Sequence, residues 1–189
     1  MGEGVLFNVE KKTQNLLFGL IIVSLICSAF IYNQQKKVEH GIKMTLESIV
    51  GSSLFKIWST YEAIASNPIN KLTIEHLVDI HDKLSVMEAN SETVDSATST
   101  DLLNPINKNM IAITESIKNN YEENKRFTED DQIKFSTFVQ KTNELLSILT
   151  RAYYVPGSHE GAKVTLKMNN KEELIAFRDN LGKYMSSVQ

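Results

Sequence analysis

The longest apolar stretch of the chain lies near its N-terminus. No charged residue occurs between Thr13 and Gln35, and the centre of this stretch reads LLFGLIIVSLICSAFIY. At about 1.5 Å of rise per residue, about 20 helical residues cross a hydrocarbon core of about 30 Å. The pattern therefore predicts one transmembrane helix over Leu16–Tyr32, preceded by a short tail of residues 1–15.

Processing signals are the alternative interpretation of this N-terminal stretch. Cys27–Ala29 resembles a small-residue signal-peptide cleavage site, but the apolar run continues beyond it. A lipoprotein signal would have a small residue before Cys27, where Ile26 stands. N-myristoylation at Gly2 would have Ser or Thr at position six, where Leu6 stands. An uncleaved anchor is favoured, and cleavage of the segment is left open.

The orientation of the predicted span follows weakly from its flanks. Lys11 and Lys12 precede the span and Lys36 and Lys37 follow it, so the distribution of basic residues hardly selects a side. A short tail before a first span usually stays in the cytoplasm. We therefore expect the C-terminal domain outside the cytoplasm.

Helical periodicity continues beyond the predicted span. Apolar residues recur at steps of three and four, at Leu46, Val50, Leu54, Ile57, Tyr61 and Ile64. No proline interrupts this pattern before Pro68. The pattern predicts that the first helix continues as a stalk over residues 33–67 and joins a helical domain over residues 68–189.

Four further helices are predicted in that domain. Thr73 is a good N-cap for the first of them, which we expect to end by Asn90, before a polar, flexible loop over residues 90–100. The next two helices form a hairpin around the capping sequence Thr128–Asp131. The apolar stripes of the last three helices contain Leu103, Ile106, Met110, Ile113, Ile117 and Tyr121; Phe135, Phe138, Thr142, Leu145, Leu149 and Ala152; and Leu174, Phe177, Leu181, Tyr184 and Val188.

The segment 162–168 has a different pattern, because apolar and polar residues alternate there. No partner strand is evident in the sequence, and an isolated strand is unstable. The segment is therefore expected either to lie extended on the bundle or to offer an edge to another chain. The predicted fold is all-α: one N-terminal transmembrane helix that continues into a soluble bundle of about four to five helices.

Charge and cysteine content narrow the function classes. The 189 residues include 20 basic and 23 acidic side chains, for a net charge of −3, which lacks the basic footprint of a nucleic-acid-binding protein. The single cysteine, Cys27, lies in the apolar run. This excludes a disulfide framework within one chain, and a cysteine-free soluble domain suits an oxidising compartment.

No pattern of catalytic or metal-binding residues emerges. The densest polar cluster contains Glu75, His76, Asp79, His81 and Asp82. A metal site in a bundle normally needs ligands from several helices, typically in Glu-x-x-His pairs, and the sequence has no such pair. A Gly-x-Ser-x-Gly nucleophile motif is absent, and the sequence PGSHEG lacks the Lys-Ser/Thr of a phosphate-binding loop. We therefore expect no catalytic site, no metal and no cofactor.

The remaining candidates for function are surfaces. Aromatic residues on the stalk and alternating residues of the 162–168 segment form a candidate interface, which contains Phe55, Trp58, Tyr61, Val164 and Leu166. Packing within the core is the alternative role of the aromatic residues. These features predict a membrane-anchored, non-enzymatic protein that binds or positions a protein partner, or a second copy, in an envelope or membrane complex.

A ligand-sensing bundle is the alternative function. The plan of one membrane helix leading directly into a helical bundle is similar to that of the extracytoplasmic sensor domains of bacterial chemoreceptors and kinases. The resemblance is one of architecture and rests on no motif. It implies an extracytoplasmic domain that binds a small molecule, and any signal from this chain would then pass through a partner.

Overall fold

A computed structural model describes the backbone of residues 3–66, 72–155 and 163–188, and the side chains of residues 17–187 within those ranges. These ranges contain five α-helices and no β-strand. The helices are α1 (Glu3–Ala65), α2 (Ile74–Thr98), α3 (Leu103–Asn124), α4 (Glu129–Tyr153) and α5 (Lys171–Val188). The prediction of an all-α fold is confirmed. The chain divides into two compact units, Met1–Thr45 and Leu46–Gln189.

The first unit contains the N-terminal part of α1. From Leu17 to Tyr32 the large apolar side chains of this helix are exposed, and none packs in a core. Among the described residues, α1 is the one helix that is long and apolar enough to cross a membrane. This confirms the predicted apolar N-terminal helix of transmembrane length.

The second unit is a helical bundle with one apolar core. The C-terminal part of α1 enters this core through the predicted stripe, because the side chains from Val50 to Ile64 at that spacing are buried. α3 packs against α2, α4 and α5, and α4 also packs against α5. The predicted stripe residues of α3, α4 and α5 are buried or half-buried, while the side chain of Val188 lies outside the described residues.

Helix ends in the bundle follow the predicted capping sequences. The side chain of Thr73 accepts a hydrogen bond of 3.2 Å from the His76 N–H at the start of α2. At the start of α4, Thr128 and Asp131 form a reciprocal capping box. Each cap satisfies N–H groups that have no partner within the helix.

The prediction of a flexible loop over residues 90–100 is wrong, because α2 continues to Thr98. Ser91, Val94 and Asp95 are buried and lie four, seven and eight residues after the buried Met87, so the same helix face continues. The polar composition of this stretch concealed the periodicity, since only Val94 is a large apolar residue. The connection to α3 consists of the short segment 99–102.

The 163–168 part of the predicted extended segment lies on the bundle. An isolated antiparallel bridge joins Tyr154 to Val164, with hydrogen bonds from the Val155 N–H to the Lys163 carbonyl (3.1 Å) and from the Thr165 N–H to the Tyr153 carbonyl (2.9 Å). The chain therefore provides its own partner for this segment. Ala162, the sequence PGSHEG at residues 156–161 and the predicted end of the stalk at Asn67 lie outside the described residues.

Candidate interaction surface

The five residues of the predicted interface differ in their exposure. Phe55 is 60% exposed, whereas Tyr61 is 2% and Val164 is 6% exposed. Trp58 and Leu166 are half-buried, and Leu166 packs against the apolar core. The chain itself therefore covers Tyr61 and Val164. Of the five side chains, Phe55 offers the most area to a partner, and its role in binding stays a prediction.

Tyr61 is part of a buried polar link between three helices. Its hydroxyl donates a hydrogen bond of 3.4 Å to Asn107 Oδ1 in α3, and Asn107 Nδ2 donates one of 2.9 Å to the Leu84 carbonyl in α2. Burial raises the pKa of the Tyr61 hydroxyl well above its usual value, so this group stays protonated as a donor. The geometry assigns Tyr61 a structural role in the core.

Val164 is buried beside α1. A Cβ atom built on Gly51 would lie 3.6 Å from Val164 Cγ2, which is an ordinary van der Waals distance. The backbone of the segment continues to bond to α4, because the Asn169 N–H donates to the Ala152 carbonyl over 2.8 Å. This position explains the alternating pattern, since Val164 faces the core while Lys163 remains exposed.

His76 and Asp79 of the polar cluster in α2 contact neighbouring side chains of the bundle. The ring of His76 meets the ring of Phe135 edge-on, with centroids 5.9 Å apart. Asp79 forms an ion pair of 2.6 Å with Lys83 one turn later. Within the described residues, no group of three or more His, Cys, Asp or Glu side chains is placed to hold a metal ion.

Asp95 is a buried polar residue that sequence reasoning missed. Its carboxylate accepts hydrogen bonds from the N–H groups of Leu102 (3.1 Å), Leu103 (3.1 Å) and Asn104 (2.8 Å), and from the Thr100 hydroxyl (3.0 Å). A carboxylate of α2 thus caps the N-terminus of α3, where the helix macrodipole favours negative charge. The structure places Leu102 at the N-cap of α3, and leucine has no side-chain acceptor, so the cap comes from another part of the chain.

Asp131 is the second buried carboxylate at a helix start. Its oxygens accept hydrogen bonds from the Thr128 N–H (2.8 Å), the Thr128 hydroxyl (2.8 Å) and Asn120 Nδ2 of α3 (3.0 Å). Burial by itself would raise the pKa of this carboxyl, but these hydrogen bonds and the charge of Lys134 together hold the pKa below its usual value. Asp131 therefore caps α4 and also links it to α3.

Several large apolar side chains are exposed on the second unit. Besides Phe55, Val86 is 73% and Ile133 is 58% exposed. These positions lie on three different helices, α1, α2 and α4. Single exposed apolar residues are common on protein surfaces, so only an aromatic one such as Phe55 stands out as a candidate contact.

Comparison with known proteins gives no relative, because no family model matches the chain and no match is found among curated proteins or solved structures.

Proposed function

We propose that this protein is a membrane-anchored, non-enzymatic helical protein that binds or positions a protein partner in an envelope or membrane complex. The observation that carries the proposal is the exposed apolar surface of α1 over residues 17–32. Lipid is the environment that best covers a helix that is apolar on every side.

Energetics support the membrane placement of Leu16–Tyr32. Transfer of apolar surface out of water is favourable by roughly 25 cal/mol per Å², or about 1.5–3 kcal/mol for each fully buried large side chain. The polar side chains of this stretch, Ser24 and Ser28, can bond to carbonyls of their own helix. Tyr32 stands at one end of the run, where an amphipathic ring favours the membrane interface.

The surroundings of the buried polar groups support binding rather than catalysis as the role of the second unit. Asp95 and Asp131 cap helices, and Asn107 joins neighbouring helices. These groups therefore serve the fold. Phe55 in α1 lies on the outside of the unit, and aromatic residues are enriched at the centres of protein interfaces.

We further propose that the domain after the span lies outside the cytoplasm. Residues 33–189 contain no cysteine, so this domain has no thiol that an oxidising compartment could convert to a disulfide. A reporter enzyme that is active only in the cytoplasm, fused after Gln189, should be silent. A reporter that is active only outside it should work at the same position. The reverse pattern would place the domain in the cytoplasm.

Site-specific photocrosslinking tests the interaction. A photoreactive phenylalanine analogue replaces Phe55 in one variant and the exposed Gln140 of α4 in a matched control. The proposal predicts a discrete adduct of higher mass from position 55, which is absent from position 140, when intact cells are irradiated.

The same experiment can reject the interaction surface. Equal labelling at the two positions would mean random collision, and absence of any adduct at position 55 would remove Phe55 from the proposed interface. A second variant, Phe55→Glu, should fold because the side chain is exposed, and it should lose the partner in a pull-down from mild detergent. Retention of the partner by this variant would also count against the surface.

A further inference from the structure

A regular seam of residues follows α1 from the apolar run into the segment after it. Successive seam residues are four and then three positions apart, in alternation, which is the spacing of the a and d positions of a heptad. They are Leu17, Ile21, Ser24, Ser28, Ile31, Gln35, Val38, Ile42 and Thr45. All nine side chains are exposed, and all lie within the first unit.

Within the apolar run, the seam contains the small polar residues. Ser24 and Ser28 are four residues apart and occupy consecutive d and a positions. In lipid the hydrophobic effect does not drive helices together, so association depends on close packing, and small residues four apart allow two helix backbones to approach. The residues that favour helix contact in a membrane therefore lie on this seam.

Beyond Tyr32, the same seam contains two exposed apolar residues, Val38 and Ile42, between the polar residues Gln35 and Thr45. Val38 is 59% and Ile42 is 55% exposed, although this segment follows the apolar run and is rich in charged residues. Lys36, Lys37 and Lys43 occupy b and c positions, which point away from the seam. In water, burial of the two apolar side chains against another helix would be favourable.

Gly41 lies beside this part of the seam, at a g position. A Cβ atom at Gly41 would meet nothing within 4 Å in the single chain, so the chain itself does not require a glycine there. Glycine inside a helix is destabilising by roughly 0.5–1 kcal/mol relative to alanine. A glycine at this position leaves room for the backbone of a second helix to approach closely.

We infer that the seam binds a second copy of this chain, as a parallel, in-register helix pair. The inference rests on the proposed membrane placement, because two copies anchored by the same segment cross the membrane in the same direction. The seam is self-complementary in that register, since small residues meet small ones and apolar residues meet apolar ones. A residue such as Gln35 at an a position fixes register when it meets its own copy.

Charge and length also fit a second copy. At the e and g positions of residues 34–41 stand Gln34, Glu39 and Gly41, so a parallel pair brings Gln34 opposite Glu39 and creates no pair of like charges. From Leu17 to Thr45 the seam spans four heptads, which is about 42 Å at the helical rise. Three to four heptads are roughly what a coiled coil needs.

Disulfide scanning of the full chain in native membranes tests the seam. In a Cys27→Ser background, single cysteines replace Gln35, Val38 or Ile42 on the seam, and matched controls replace Lys37, His40 or Met44 on the outward positions. After oxidation with copper phenanthroline, non-reducing gels should show several-fold more disulfide-linked dimer for the seam variants than for the controls. Equal yields on all faces, a maximum on the outward face, or absence of dimer would overturn the inference.

A matched pair of substitutions tests the membrane part of the seam. In the variant with cysteine at position 38, Ser28→Leu places a bulky side chain on the seam, and Ala29→Leu places the same side chain one position off it. The dimer yield should fall several-fold with Ser28→Leu and stay unchanged with Ala29→Leu. An unchanged yield with both would exclude helix contact at Ser28.

The localisation of the same samples separates the two proposals. Chain found in the membrane fraction without seam-specific dimer contradicts the helix pair and leaves the anchor intact. Chain found in the soluble fraction contradicts the anchor, and with it the parallel arrangement. The photocrosslinking at Phe55 is independent of both results.

Discussion

At the scale of single residues, the bundle depends on two buried carboxylates that hold helix ends. Asp95 caps the N-terminus of the following helix α3, and Asp131 completes the capping box of its own helix α4 by accepting from the Thr128 N–H, while it contacts Asn120 of α3. Both satisfy N–H groups that would otherwise be buried without partners, which is costly in an apolar environment.

Replacement of Asp95 by alanine should destabilise the bundle by about 1–3 kcal/mol, because three N–H groups at the start of α3 lose their acceptor. The control Asp82→Ala removes an exposed carboxylate from the same helix and should change stability by less than about 0.5 kcal/mol. Urea unfolding of the full chain in mild detergent, followed by the fluorescence of the single tryptophan Trp58, measures both. Equal effects of the two substitutions would mean that Asp95 is not a cap.

Asp131 should make stability depend on pH in the acid range. Its folded pKa lies below that of an unfolded aspartate, about 3.9, so the folded state favours the charged form. The contribution is therefore complete above about pH 5 and is lost as the pH falls through the folded pKa. The difference in unfolding free energy between the parent and Asp131→Asn should be constant near neutrality and narrow on acidification. A difference that widens on acidification would reverse the sign of the shift.

The two carboxylates were not equally predictable from the sequence. Asp131 stands three residues after Thr128, and this spacing is a local capping signal. Asp95 caps a helix that begins eight residues later, after a turn whose geometry includes Ser99 at a φ of 52°. Local rules do not contain that turn, so the partner of Asp95 emerges only from the folded chain.

At the scale of helices and segments, α2 shows how composition can conceal periodicity. Residues 90–98 are mostly small and polar, yet they extend the buried face of the helix through Ser91 and Val94. Small side chains fit where helices approach closely, so their burial does not require a strongly apolar pattern. Long apolar stripes, by contrast, identified the other helices without ambiguity.

The 163–168 segment shows the opposite case, in which the pattern was recognised but its partner was not. Alternation at residues 164, 166 and 168 suggested extended backbone, and the structure has a bridge at Val164 followed by a bend at residues 166 and 167. Its position on α4 and beside Gly51 of α1 depends on contacts between residues far apart in sequence, which periodicity does not report. For the same reason, the sequence could not separate core from surface among Phe55, Trp58 and Tyr61.

Replacement of Gly51 by alanine should stabilise the bundle by about 0.5–1 kcal/mol. The added methyl group reaches an ordinary contact distance of 3.6 Å from Val164, while the unfolded chain loses conformational freedom. The larger side chain of Gly51→Leu would have to displace Val164, and we expect a loss of about 1–3 kcal/mol. Urea unfolding of the two variants distinguishes them, and a stabilising Gly51→Leu would show that the 163–168 segment is not seated there.

At the scale of the whole molecule, the chain combines an apolar helical segment with a helical bundle that has its own core. The all-α class and the apolar N-terminal helix were predictable because both depend on long periodic or uniform patterns. The binding role stays a prediction, because the five candidate residues were chosen by residue type and the structure buries two of them.

Membrane anchoring is the central claim, and alkaline carbonate extraction of membranes from cells that express the full-length chain tests it most directly. A matched variant, Ile22→Arg with Leu25→Arg, places two charges in the apolar run, each of which opposes insertion by about 2.5–3.5 kcal/mol. The account predicts that the parent chain stays in the membrane pellet at full length, whereas the variant moves to the soluble fraction. Recovery of the full-length parent chain in the soluble fraction would contradict it.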